Sequence, residues 1–157
     1  LLKRSIVLIV LYALSAGSSI AQLFRLSRNR DMREEEVSNT LKNLYNSLGS
    51  NPELENVPEW LGAGVIESAR HFQDFGMVYY DLKTVVYFVT ILAIVLMFLQ
   101  KKIGFWVYFL AQSLAVFAVL FALGINTISL LAATLTAFAS LLFIVLYKKQ
   151  FYNKLED

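Results

Sequence analysis

The fold is decided by residues 103–147, which read IGFWVYFLAQSLAVFAVLFALGINTISLLAATLTAFASLLFIVLY. Apart from tyrosine, this stretch has no ionisable side chain, although the chain contains 14 Lys/Arg and 12 Asp/Glu. Residues 103–123 include twelve Leu, Ile, Val and Phe, which together favour membrane insertion by roughly 5 kcal/mol. Each half is about 31 Å long as an α-helix, enough to cross the hydrocarbon core. The stretch therefore predicts a pair of transmembrane helices.

A short link, Gly124-Ile125-Asn126, joins these helices. Gly124 is suited to a left-handed C-terminal cap, and Asn126 can cap the start of the next helix. Because so short a link leaves no room for a crossover, residues 103–123 and 127–147 are expected to form an antiparallel hairpin.

An apolar segment at residues 5–24 follows Lys3 and Arg4 and ends in small residues. This order also describes a secretory signal peptide. We expect an uncleaved signal anchor that forms the first span.

The remaining apolar segment, residues 79–99, reaches full span length only when its start is included, which puts Asp81 and Lys83 at an interfacial end. With this span, the sequence predicts an all-α integral membrane four-helix bundle. Residues 1–157 would form one membrane domain.

Residues 25–78 are the sizeable hydrophilic region, and they predict short amphipathic helices between the first two spans. The first carries an apolar stripe at helical spacing, formed by Val37, Leu41, Leu44, Tyr45 and Leu48. A second start follows at Pro58-Glu59, where proline is tolerated in the first turn and acid suits the helix dipole. Its stripe comprises Leu61, Val65, Ala69 and Phe72.

Composition excludes several classes of function. The chain has no cysteine, which removes disulfides, thiolate metal sites and cysteine nucleophiles. A net charge of +2 does not indicate a nucleic-acid partner. Small multidrug antiporters have a similar size and span count, but they need an intramembrane Glu in the first helix, which residues 5–24 lack. With no phosphate loop or catalytic set recognisable, we expect no enzyme activity, cofactor or metal.

The count of basic residues does not decide the orientation in the membrane, because each side of the predicted bundle carries seven Lys/Arg. Basic residues ahead of the first span and the Lys101-Lys102 link favour cytoplasmic termini. The arginine cluster after the first span argues the other way. We expect cytoplasmic termini and a location in a bacterial inner membrane.

Two stripes of small residues could let another helix approach closely. They comprise Ala13, Gly17 and Ala21 in the first span, and Ser129, Ala133 and Ala137 in the fourth. Packing within the bundle and packing against a partner subunit both remain open.

Several polar side chains are candidates for other contacts. Gln112 is the most polar residue of the third span, and it would either hydrogen-bond a neighbouring helix or contact a substrate. Basic residues at the span ends are expected to contact lipid head groups; they are Arg25, Arg28, Lys101, Lys102, Lys148 and Lys149. His71, with Glu67 and Asp74 on one helical face, is interpreted as part of an ion-paired surface rather than a metal site or pH switch.

Three hypotheses for function follow. The leading one is a non-catalytic accessory or structural subunit of a larger membrane complex, with membrane lipids and other integral membrane subunits as partners. The second is a small transporter or lipid-binding protein with a polar cleft among the spans, contacted by Gln112, Thr134 and Thr136. The third is a sensor that responds through His71.

Overall fold

The structure, a computed structural model, describes residues 6–26, 35, 38, 39 and 59–152, with residues 59–62 described by their backbone alone. The long elements are helical: α1 Ile6–Leu26, α2 Glu59–Phe98, α3 Ile103–Leu123 and α4 Thr127–Gln150. All four contain a segment long and apolar enough to cross a bilayer. The predicted all-α fold with four spans is therefore confirmed, and the chain has the make-up of a membrane protein.

Helix α2 differs from the prediction. One continuous helix of 40 residues, about 60 Å long, replaces a separate amphipathic helix and a shorter span. Its sequence contains no proline after Pro58, so the backbone hydrogen bonds continue without a break. The other predicted amphipathic helix, between Val37 and Leu48, lies outside the described residues except at 38 and 39, which are helical.

One end of the bundle holds the start of α1, the α2–α3 link and the end of α4. We call it the lysine end, after Lys101, Lys102, Lys148 and Lys149. The buried core lies here and comprises Leu8, Leu11, Tyr12, Ala93, Ile94, Met97, Phe105, Tyr108, Tyr147 and Phe151. This core joins all four helices near the predicted interface.

The opposite end, which we call the turn end, holds the α3–α4 link. Asn126 accepts a hydrogen bond from the backbone N–H of Ser129 at 2.9 Å, and the Ser129 hydroxyl accepts one from the Asn126 N–H at 2.9 Å. The predicted cap is confirmed as a reciprocal capping box. The Ser68 hydroxyl donates to Asn126 Oδ1 at 3.0 Å, so α2 is fixed to the same turn. Gly124 has φ of +73°, a conformation that favours glycine.

The most extensive helix contact is between α2 and α3. It is closest at Gly104, where an added Cβ would lie 2.6 Å from the backbone nitrogen of Met97 and 2.9 Å from the carbonyl oxygen of Ala93. Both are backbone atoms that cannot rotate away. The absence of a Cβ at Gly104 therefore permits this close approach of the two antiparallel helices.

The outward faces of the helices are apolar. Large hydrophobic side chains are exposed along all four, among them Ile6, Phe24, Phe88, Leu110, Leu131 and Phe138. In water such faces would aggregate, whereas in a bilayer they contact lipid chains at no cost. The pattern of exposure agrees with the span assignment.

We predict that Gly104→Ala destabilises the bundle by about 1–3 kcal/mol, because the new methyl group forces α2 and α3 apart. Unfolding in mixed micelles titrated with a denaturing detergent measures the change. Gly17→Ala is the matched control, since an added Cβ there meets no atom within 4 Å, and its stability should be unchanged or slightly raised. Equal effects of the two substitutions would contradict the close contact.

Candidate functional site

A cavity of about 530 Å³ lies between the four helices. This volume is within the usual range for small-molecule sites. Its lining mixes apolar side chains, such as Val86, Val119, Leu135 and Phe143, with polar ones. The polar and charged lining comprises Ser15, Ser18, Ser19, Tyr79, Lys83, Tyr87, Thr90, Tyr108, Gln112, Thr136 and Ser140.

The cavity lies about halfway along the bundle. Gln112 is close to the middle of α3, Ser140 to the middle of α4 and Ser15 to the middle of α1. In a bilayer these positions are within the hydrocarbon layer, where water does not satisfy polar groups. Each polar side chain there therefore needs a partner from the protein or from a ligand.

Two hydrogen bonds between helices hold part of the lining. The Ser140 hydroxyl donates to Gln112 Oε1 at 3.0 Å and joins α4 to α3. The Tyr147 hydroxyl donates to Ser15 Oγ at 3.0 Å and joins α4 to α1. Thr90 and Thr136 instead donate to carbonyl oxygens of their own helices, at 2.8 Å in both cases. Gln112 thus makes the bond to a neighbouring helix that the sequence indicated.

Other polar groups of the lining have no partner among the described residues. Ser19 is only 3% exposed, yet its hydroxyl makes no hydrogen bond there. Gln112 is half-buried, and its amide nitrogen also has no partner among the described residues, since its bond to Ser140 uses the carbonyl oxygen. Buried polar groups in proteins are normally paired with protein, water or ligand. The cavity therefore presents hydrogen-bonding groups that no described side chain uses.

Lys83 contributes the charge of the lining. Its Nζ lies 4.8 Å from the centroid of the Tyr79 ring, in cation–π geometry. No Asp or Glu of the described chain lines the cavity. The sequence placed Lys83 at an interfacial helix end, and the structure adds that it lines the same cavity as Gln112 of α3.

The cavity opens sideways. Its exposed lining residues are Ser18 on α1 and Leu135 and Ala139 on α4, so the opening lies between these two helices. Helix α1 packs mainly on α2 and has little contact with α4. In a bilayer crossed by these apolar helices, an opening halfway along them would face lipid chains rather than either aqueous side.

Of the polar contacts expected from the sequence, Gln112 and Thr136 line the cavity and Thr134 does not. Thr134 is exposed and donates to the carbonyl oxygen of Leu130 at 2.7 Å. The basic residues proposed for head groups are exposed at Arg25, Lys101, Lys102, Lys148 and Lys149, while Arg28 lies outside the described residues.

The two stripes of small residues differ in their exposure. On α4, Ser129 and Ala133 are buried and Ala137 is half-buried. On α1, by contrast, Ala13, Gly17 and Ala21 are exposed. The α1 stripe is therefore a surface of the bundle.

His71 is half-buried against the turn end. Its Nδ1 lies 3.4 Å from the carbonyl oxygen of Ala122, and its ring stacks on Phe75 with centroids 4.7 Å apart. Glu67 and Asp74 are exposed. In the described ranges, no three His, Cys, Asp or Glu residues are grouped as metal ligands.

Sequence reasoning missed the serines of α1 and the inward position of Lys83. The available signal was the spacing of Ser15, Ser18 and Ser19, which lie on one face of a helix. Small residues at these positions are equally consistent with a helix-packing stripe and with the end of a signal peptide. Only the neighbouring helices decide between these interpretations.

Comparison of the chain with protein-family models, with curated proteins and with solved structures finds no match.

We predict a coupling free energy of about 0.6 to 1.7 kcal/mol between Tyr147 and Ser15, the range found for hydrogen bonds between membrane helices. A double-mutant cycle with Tyr147→Phe and Ser15→Ala measures it, using unfolding in mixed micelles. The same cycle with Tyr147→Phe and Thr134→Val is the control and should give additive effects. Additivity in both cycles would show that the bond does not join α1 to α4.

Proposed function

We propose that this chain is a non-catalytic integral membrane protein that binds an amphipathic, lipid-derived small molecule between its spans. The observation that carries the proposal is the cavity of about 530 Å³, which is partly polar and borders exposed residues of α1 and α4 halfway along these apolar helices. An amphipathic ligand would reach such an opening by diffusing within the bilayer. A water-soluble solute would first have to enter the hydrocarbon layer.

The polar lining supports ligand binding over simple packing. Leaving a buried hydroxyl or amide group without a hydrogen bond costs about 1–3 kcal/mol. In the described structure Ser19 is buried and carries this cost, and the half-buried amide nitrogen of Gln112 carries part of it. Alanine or leucine at these positions would avoid it and still fill the bundle. A bound molecule with hydrogen-bonding groups accounts for their presence.

The lining does not favour catalysis. A hydroxyl nucleophile needs a base within hydrogen-bond reach. In the described structure, Lys83 makes no hydrogen bond to any serine, threonine or tyrosine of the lining. The tyrosine–serine bond from Tyr147 to Ser15 joins two groups of which neither is a strong base. Binding, with or without movement of the ligand across the bilayer, fits better than a reaction.

We predict that photoreactive amphiphiles label the cavity in phosphatidylcholine nanodiscs. The probes are single-chain molecules with a diazirine on the chain and a neutral, anionic or cationic head group, used together. Labelling should concentrate on peptides that contain Gln112 or residues 135–143, because these line the cavity.

Ala139→Trp should lower this labelling at least fivefold, since Ala139 lies at the opening and the indole ring would block it. Thr134→Trp is the control, because it adds the same ring to an exposed position of α4 outside the cavity. Labelling spread evenly over lipid-facing residues such as Leu131 and Phe138, and unchanged by Ala139→Trp, would overturn the proposed function.

A second candidate function is that of an accessory subunit in a larger membrane complex. It is favoured by the exposed stripe on α1, where an added Cβ at Gly17 meets no atom of the bundle within 4 Å. Such a stripe lets a second helix approach closely enough for dispersion contacts to exceed those with lipid. Ala13 and Ala21 extend the same surface by one turn in each direction.

We predict that Gly17→Ile removes any partner that copurifies with the chain after gentle solubilisation of native membranes. The stability of the isolated chain should not fall, because the side chain would point away from the bundle. Thr134→Ile, on the exposed face of α4, is the control for a general effect of added bulk. Recovery of the same proteins with both variants, or of none with the unchanged chain, would exclude this surface as an interface.

A further inference from the structure

Resting on the proposed function, we propose that the ligand is an anionic single-chain amphiphile, an acyl chain that ends in a carboxylate or phosphate, whose head group binds Lys83. Lys83 is the residue on which the choice of charge depends. Its ammonium group can donate three hydrogen bonds and accept none. A carboxylate or phosphate offers the acceptors and the opposite charge.

Among the described residues, none that lines the cavity carries a counter-charge for Lys83. No acidic residue of the described chain lines it, and the contact that the structure gives Nζ is the face of the Tyr79 ring. An aromatic face attracts a cation but does not neutralise it. Charged groups within membrane helices usually pair with another charge or mark the path of a substrate. An anionic ligand would supply the missing partner.

The unpartnered groups that line the same cavity as Lys83 also favour an acceptor. The amide nitrogen of Gln112 is a donor only, and the Ser19 hydroxyl has a hydrogen to donate. With Lys83, they give the cavity three groups that can donate to an anionic ligand. A cationic head group would meet a like charge here, and a neutral one would leave the ammonium group unpaired.

The position of Lys83 along the bundle suits the head group of an amphiphile. Lys83 precedes Thr90, another lining residue, by seven positions on α2, so it lies about 10 Å nearer to the turn end. The head group would therefore face the membrane surface at the turn end. The acyl chain of the ligand would extend past Val86 toward Phe143, in the direction of the lysine end.

The test measures head-group preference in the intact chain, reconstituted into phosphatidylcholine nanodiscs at equal mole fractions of probe. Four probes share one diazirine-bearing twelve-carbon chain and end in a carboxylate, a phosphate monoester, a primary amide or a trimethylammonium group. The unchanged chain should bind one or both anionic probes about tenfold more tightly than the amide, and the cation more weakly still. The carboxylate and phosphate arms separate fatty-acid-type from lysophosphatidate-type ligands.

Three variants assign the preference to Lys83. Lys83→Met keeps the length of the side chain and removes its charge, so the preference for anions should fall to within twofold while labelling by the amide persists. Lys83→Arg should retain the preference. Lys101→Met removes an exposed lysine outside the cavity and should change nothing.

The outcomes separate this proposal from the one it rests on. Equal labelling of the cavity by all four probes would overturn the anionic ligand and leave the binding function in place. A preference for anions that survives Lys83→Met would overturn the assignment to Lys83. No labelling of the cavity by any probe would overturn both. Because the preference is measured in the unchanged chain, the test does not depend on a variant that folds.

Discussion

Helices within a bilayer gain little by burying apolar side chains against one another, because the lipid they displace is equally apolar. What joins them is close approach and the few polar groups that need partners. In this chain, close approach is concentrated at Gly104, where α3 meets the backbone of α2 near Met97. The hairpin of α3 and α4 and the long helix α2 form a unit through this contact and the capped turn at Asn126.

Helix α1 is attached differently. It lies along α2 and contacts α4 mainly at the lysine end, where the Tyr147 hydroxyl bonds to Ser15 and the Tyr12 ring stacks on Tyr147 with centroids 5.8 Å apart. Both helices also line the cavity, α1 through Ser15, Ser18 and Ser19 and α4 through Leu135, Thr136, Ala139, Ser140 and Phe143. The serines of α1 face that space because the same helical face carries Ser15, the residue that makes the bond.

The sequence was sufficient to predict features that depend on residues adjacent in the chain. The spans follow from apolar runs, and the cap at Asn126 follows from a short link whose polar side chains lie at the start of a helix. It was not sufficient for features set by other helices. Whether Lys83 is interfacial or faces a cavity depends on where α1 and α3 pack along α2. Hydropathy alone places it at the edge of a span, because a lysine shortens any apolar run.

The cavity could not be predicted from the sequence for the same reason. Its lining brings together Ser19, Thr90 and Gln112 from three helices, and each of them has an ordinary explanation within its own segment. The sequence showed no acidic or basic residue in the central part of any span, which favoured packing over binding. What the structure adds is that Lys83, near one end of its span, lines the same cavity as Gln112 of α3.

The two candidate functions use opposite faces of α1, so one kind of binding does not block the other. Ser15 and Ser19 face the cavity, while Gly17 lies on the outer surface between them in sequence. A partner helix on the outer stripe would leave the serines in place, and a ligand in the cavity would leave the stripe exposed. Since α1 is also the helix with little contact to α4, either kind of binding would act on the element that borders the opening. Binding of a ligand and attachment to a complex are therefore compatible in one molecule, and the Tyr147–Ser15 bond is the contact through which α1 would stay joined to α4 in both.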